Sequence, residues 1–191
     1  MKKLQYNSPV ILTFALLSLG ALLLGRLTGG KSTLLLFAVY RAPLSDPLAW
    51  ARLFLHVLGH SGWSHYLGNM LLLLVIGPPL EEKYGSRPLL AGIALTALLT
   101  GLLQVALFPR TALLGASGVV FMLIVLTSFS GMKDGRIPLT FVLVTALYLG
   151  RELIAAVTQT DQISQLTHIL GGAVGAALGF YFQKHRNGAT R

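Results

Sequence analysis

The sequence predicts an all-α, polytopic membrane protein, and composition, apolar segmentation and the lack of a polar domain together predict it. Of 191 residues, 54% are hydrophobic and only 11% are charged, whereas an average soluble domain carries roughly 25% charged residues. Leucine-rich segments recur along the whole length, several of them near the ~20 residues that a spanning helix needs. No polar stretch is long enough to form a second domain, so residues 1–191 read as one membrane domain. Helix is the expected conformation, because an open strand in lipid leaves its backbone groups unpaired.

The expected spans are about 9–28, 64–80, 88–108, 112–130, 138–157 and 163–183, a six-helix bundle. Gly29-Gly30, Gly77-Pro78-Pro79, Pro88, Pro109, Gly135 and Pro138 mark the breaks between them. The first segment follows Lys2 and Lys3 as a signal peptide would. Its apolar run is longer than a usual signal core and no small-x-small cleavage site stands out after it, so it reads as a span. The connection 29–62 is the longest and is itself apolar, with Leu34, Leu35, Leu36 and Phe37 and the run from Leu48 to Leu58. Trp50 and Arg52 suit the headgroup boundary, and the segment is expected to lie partly in the outer leaflet.

The formal charge of +9 raises nucleic acid as a partner, but the distribution of the charge assigns it to topology. With the N-terminus inside, Lys2, Lys3, Lys83, Arg87, Lys133, Arg136, Lys184, Arg186 and Arg191 fall on the cytoplasmic side. Only Lys31, Arg41, Arg52 and Arg110 fall outside. That bias places both termini in the cytoplasm and removes nucleic acid. The chain has no cysteine, which excludes disulfides, thiolate metal sites, palmitoylation and cysteine nucleophiles.

Polar side chains inside spans are costly, so each invites a functional reading. The second, fourth and sixth spans all run from outside to inside, which sets their N-terminal turns at one depth. His65 and Asn69 on the second, Ser117 on the fourth and His168 on the sixth fall there together. A serine hydroxyl needs an adjacent base to become a nucleophile, and histidine, with an ordinary pKa of roughly 6.5, suits that task. His65 and Asn69, four residues apart, share a helix face and carry N–H donors for an oxyanion. The Ser117 backbone N–H at a helix N-terminus supplies another. Gly171, Gly175 and Gly179 form a small-residue stripe one turn beyond His168, and Gly115 and Gly118 flank Ser117. Close approach of the fourth and sixth spans follows.

These residues resemble the rhomboid proteases, over most of the chain from about Arg52 to Gly179. Gly115-Ala116-Ser117-Gly118 is similar to that family's GxSG motif, His65 to Asn69 to its HxxxN motif, and His168 with Gly171 and Gly175 to its HxxGxxxG pattern. Arg52, His56 and His60 have the spacing of its first loop, and Glu82 to Ser86 resembles the end of its second span. The resemblance implies a six-helix core that cleaves transmembrane substrates through a Ser–His dyad, without metal or cofactor. Ser117 and His168 carry over as the catalytic pair. His65 and Asn69, with Gly115 and Gly118, carry over to the oxyanion and substrate-binding side. Phe121 stands where many relatives have tyrosine against the catalytic histidine, and Thr167 where alanine is common.

Blander readings accompany several of these residues. Ser117 alone suits a helix N-cap, His168 alone a buried histidine bonded to a carbonyl, and Asn69 alone a helix-to-helix hydrogen bond. His56, His60 and His65 together raise a metal site, but Gly59 and Gly62 break the helix and no carboxylate completes the set, so loop-fixing hydrogen bonds are expected. Asp161 reads as a solvated loop carboxylate rather than a third triad member. Arg151 and Glu152, in the outer half of the fifth span, either face a polar cavity beside a lateral opening between the second and fifth spans or snorkel to the interface. The function expected is an intramembrane serine endopeptidase acting near the outer face on a transmembrane protein substrate, with membrane lipids as the other partner. The alternative is a catalytically silent relative that binds transmembrane clients. A transporter is disfavoured, since neither inverted repeats nor a chain of intramembrane carboxylates is evident. The small size suggests a bacterial inner membrane, and the oligomeric state is not encoded legibly.

Overall fold

The computed structural model describes residues 6–130, 139, 142, 143, 146, 147 and 162–188, with side chains in the last segment from 166 to 184. Seven α-helices carry this part of the chain. They are α1 (Pro9–Leu27), α2 (Lys31–Leu36), α3 (Pro47–Leu55), α4 (Trp63–Tyr84), α5 (Ser86–Leu107), α6 (Ser117–Ser130) and α7 (Gln162–Gly188). A 3₁₀ turn, His56–Leu58, extends α3. Among the described residues there is no strand, and the extended pairing is one antiparallel bridge between Val39 and Leu113. Helices α1 and α5 are each long and apolar enough to cross a membrane, with mean hydropathy of 2.1 and 2.0. Positions 139, 142, 143, 146 and 147 are helical, and the remainder of the expected fifth span, including Arg151 and Glu152, lies outside the described residues, as does Asp161.

At the centre stands α6, packed against α4, α5 and most extensively α7. Val119, Val120, Met122, Leu123 and Leu126 on it are fully buried. A helix that is apolar all round belongs in such a position. Between helices in lipid the hydrophobic effect contributes little, so contact depends on how closely backbones approach. Gly171 and Gly175 of α7 lie against the backbone carbonyls of Gly118 and Met122 on α6, where any Cβ would collide.

Three boundaries depart from the sequence expectation. The expected break at Gly77-Pro78-Pro79 does not occur: α4 runs through both prolines to Tyr84. Proline removes a backbone donor, but tertiary contacts hold this last turn. Gly77 packs on Ile11, and the buried Glu81 carboxylate accepts from the backbone N–H groups of Val10 and Ile11 at 2.9 and 3.0 Å. Glu81 thereby serves the orphan donors at the N-terminus of α1. Helix α5 starts at Ser86, with Pro88 in its first turn, where the missing N–H has no intrahelical partner to lose. Helix α6 starts at Ser117 rather than 112, because Leu113 is drawn into the bridge with Val39.

The long connection contains α2 and α3 and is fastened by side chains. Arg52 was expected at the headgroup boundary, but it is buried, at 1% exposure. Its guanidinium donates to the Leu35 carbonyl at 3.1 Å and to the Asp46 carboxylate at 2.5 Å, and lies 4.5 Å over the Tyr40 ring. A planar fork satisfies such divergent partners while its stem packs. Asp46 also caps α3 by accepting from the Leu48 N–H at 2.9 Å, and its hydrogen bond from Arg52, more than that cap, holds its carboxyl below the ordinary carboxylate value. Arg41 donates to the Val105 and Ala106 carbonyls, both at 3.0 Å, tying the connection to the end of α5. Trp50 is exposed, as an interface aromatic would be.

Candidate active site

The candidate site forms where the segment before α6 meets α4, α7 and the long connection. Gly115 adopts φ 126°, a conformation that side chains disfavour. A Cβ there would also sit 2.7 Å from Cε1 and 2.8 Å from Nε2 of His65, so glycine is required twice over. The Gly115 N–H donates to the His56 carbonyl at 2.9 Å, which fixes the approach to Ser117. Ala116 is fully buried, and its carbonyl accepts the first helical bond, from the Val120 N–H at 2.9 Å. Ser117 is therefore the first residue of α6, half-buried, and by position its N–H and that of Gly118 have no intrahelical partner.

From α7, Thr167 and His168 reach the same level. A Cβ on Gly118 would lie 3.0 Å from Thr167 Cγ2, and Gly171 abuts the Gly118 carbonyl. His168, 5% exposed, stacks on Phe121 with ring centroids 4.4 Å apart and planes at 12°. Ser117 and His168 thus both stand at the N-terminal end of the closest approach of α6 and α7, each within a turn of the Gly118–Gly171 contact. The glycines and the flat Phe121 ring make that approach possible.

From α4, His65 stands against Gly115, and its Nδ1 lies 3.2 Å from the Ser61 hydroxyl. Asn69 is buried and donates one amide N–H to the His65 carbonyl at 3.2 Å, which leaves its second N–H. The structure therefore gathers Ser117, His168, His65, Gly115 and Gly118 around the N-terminus of α6, with Asn69 one turn along α4 from His65.

His56 and His60 form the wall behind. His56 Nδ1 donates to the Arg52 carbonyl at 3.1 Å and its Nε2 lies 3.2 Å from the Thr100 hydroxyl. His60 donates from Nδ1 to the Leu58 carbonyl at 3.1 Å. Its ring lies 5.0 Å from that of His65 and 5.4 Å from that of Tyr66, edge to face in both cases. Burial lowers both pKa values to about 4, with the neighbouring His65 a lesser cause at His60. Both rings are consequently neutral near pH 7. Ser61 and Thr100 were not singled out in the sequence. Ser61 is four residues from His65, a spacing that is a usable signal within a helix but not across the Gly62 break. Thr100 is one of two threonines on an apolar helix and carries no local mark.

Membrane-length apolar helices around a buried central helix, with polar side chains converging at its N-terminus, define a helical membrane protein. The chain belongs to the rhomboid family: the sequence model of the Rhomboid domain matches residues 47–185. It is 31% identical to Rhomboid-related protein 1 of Caenorhabditis elegans over 131 residues, which is 63% of this chain and 36% of that protein. It is 32% identical to Rhomboid-related protein 2 of Mus musculus over 146 residues, 69% of this chain and 47% of that protein. The chain thus spans less than half the length of these relatives.

Proposed function

We infer that this protein is an intramembrane serine endopeptidase that cleaves transmembrane or membrane-anchored proteins near the outer face of the bilayer. The observation that carries this reading is that Ser117 and His168 both precede the tight Gly118–Gly171 contact, each within a turn of it on its own helix. Ser117 Oγ attacks the scissile carbonyl while His168 takes its proton, and His168 then returns a proton to the leaving amine. The resulting acyl-enzyme ester is hydrolysed by a water that His168 activates in the same way. The oxyanion is met by the Ser117 N–H at the positive end of α6 and by donors from α4. The Cε1–Nε2 edge of His65 faces Gly115, and when the Ser61 hydroxyl donates to Nδ1 the ring proton sits on Nε2 at that edge. The free amide N–H of Asn69 is the further donor.

The reading includes one membrane domain with six spans, the fifth running through 138–157, and with both termini cytoplasmic. A substrate then reaches the site sideways from the bilayer and must unwind locally to expose its carbonyl. Substrates with glycine, proline or polar residues near the outer end of their span are favoured, because such residues weaken helix.

The test is a fluorophosphonate probe together with a generic transmembrane substrate, applied to the purified protein, Ser117→Ala and His168→Ala. Labelling and cleavage should fall by about 10⁴-fold or more in both variants, with melting unchanged. Cleavage that persists in Ser117→Ala rejects the assignment. A wild type inert both in detergent and in liposomes favours a client-binding protein instead.

A further inference from the structure

At the C-terminal end of α1 a cavity of about 540 Å³ opens between α1, α2 and the turn that precedes α4. Its volume is in the range of small-ligand pockets, roughly 300–1,000 Å³. Arg26 and Lys31 line it, and among the described residues no carboxylate does. Both cations are exposed, and the described residues give neither a hydrogen bond or ion pair from its side chain. His60 and Ser61 also line the cavity, as do Leu22 and Leu34.

His60 makes this more than a basic patch. It is 2% exposed, its Nδ1–H is committed to the Leu58 carbonyl, and its Nε2 is buried without a hydrogen-bond partner. With the proton on Nδ1, Nε2 presents a lone pair, and a buried acceptor left unmet is unfavourable. The lining of the cavity therefore combines two cations with a histidine whose acceptor is unmet. A simple anion satisfies only the first. The site also adjoins the end of a membrane-length helix, where lipid headgroups lie. Leu23, Leu24 and Leu27 are exposed beside Arg26, a wall along which acyl chains can run.

We propose that this cavity binds the headgroup of a membrane phospholipid that carries a hydrogen-bond donor beyond its phosphate, as ethanolamine and glycerol headgroups do and choline does not. Arg26 and Lys31 hold the phosphodiester, and His60 Nε2 accepts from the ammonium or hydroxyl. The site is separate from Ser117 and His168, and the proposal does not depend on proteolysis.

Native mass spectrometry of the delipidated protein in neutral detergent, titrated with short-chain phosphatidylethanolamine, phosphatidylglycerol or phosphatidylcholine, tests it. The first two should bind about fivefold or more tightly than phosphatidylcholine, the worth of one hydrogen bond. Arg26→Gln combined with Lys31→Gln, both exposed positions, should weaken phosphatidylethanolamine by about tenfold or more. His60→Phe should make phosphatidylethanolamine and phosphatidylcholine equal while retaining the dependence on the two cations. If that variant does not fold, the wild-type preference decides the matter. Equal binding of phosphatidylcholine by the wild type, or no effect of the double substitution, overturns the proposal. Complete displacement of the lipid by an equal concentration of glycerophosphoethanolamine, which lacks acyl chains, overturns the lipid assignment in favour of a site for free phosphodiesters.

Discussion

His56 illustrates how one buried side chain is fixed by its partners. The Arg52 carbonyl can only accept, so the proton of the ring lies on Nδ1, and a neutral ring then needs a donor at Nε2. The Thr100 hydroxyl lies 3.2 Å from Nε2 and donates to the Thr96 carbonyl at 2.8 Å, so one proton is shared between the two acceptors. Protonating the ring would leave a buried cation, which desolvation disfavours. Folding therefore favours the neutral form of His56, as it does that of His60. Because both pKa values are lowered from 6.5 to about 4, the folded state binds fewer protons than the unfolded state between those limits. Their stabilising contribution is complete above about pH 6.5 and is lost as pH falls toward 4, by about 3 kcal/mol for His56. Asp46, whose carboxyl is held below its ordinary value of 3.8, stays ionised through that window and does not mask the effect. The apparent melting temperature in detergent should fall steadily from about pH 7 to pH 4.5, and less so in His56→Gln. A flat wild-type profile contradicts this account.

Helices α6 and α7 depend on each other through backbone contact. Gly175 faces the Met122 carbonyl with no room for a Cβ. Gly175→Val must separate the two helices or bend one of them, at a cost of about 1–3 kcal/mol. Because the His168–Phe121 stack lies on the same interface, the substitution should lower cleavage as well as melting temperature. Gly172→Ala is the control: a Cβ there would meet Val125 Cγ2 at an ordinary 3.5 Å, so both readouts should hold near wild type. Loss of activity in Gly172→Ala equal to that in Gly175→Val would mean that close packing is not what joins the two helices. Helix α1 is attached differently, through the Glu81 carboxylate at its N-terminus and the Tyr66 hydroxyl, which donates to the Ala15 carbonyl at 3.2 Å.

Across the whole molecule, the absence of cysteine makes topology directly measurable. Single substitutions Lys3→Cys, Trp50→Cys and Lys184→Cys, treated with a membrane-impermeant maleimide in intact cells, should label only at position 50. Lysis should expose the other two. Labelling at 3 and 184 but not at 50 would invert the orientation and move the cavity beside Arg26 to the cytoplasmic leaflet.

Several features were settled by the sequence alone. High apolar content and segment length dictate membrane helices, because backbone groups in lipid have no water to bond. The residues Ser117, His168, His65 and Asn69 were legible as one candidate set, since spans expected to alternate in direction would bring matched turns to one depth. Other features needed the tertiary structure, because their causes are distant in sequence. Helix α4 continues through Pro78 and Pro79 because Glu81 grips α1. Helix α6 begins at Ser117 because Leu113 pairs with Val39, and Arg52 is buried because Asp46, Leu35 and Tyr40 converge on it. The cavity of Arg26, Lys31 and His60 joins residues that no local pattern connects. Periodicity and hydropathy report what each segment can bury, whereas polar partners are chosen by whichever donor or acceptor the folded chain brings within reach.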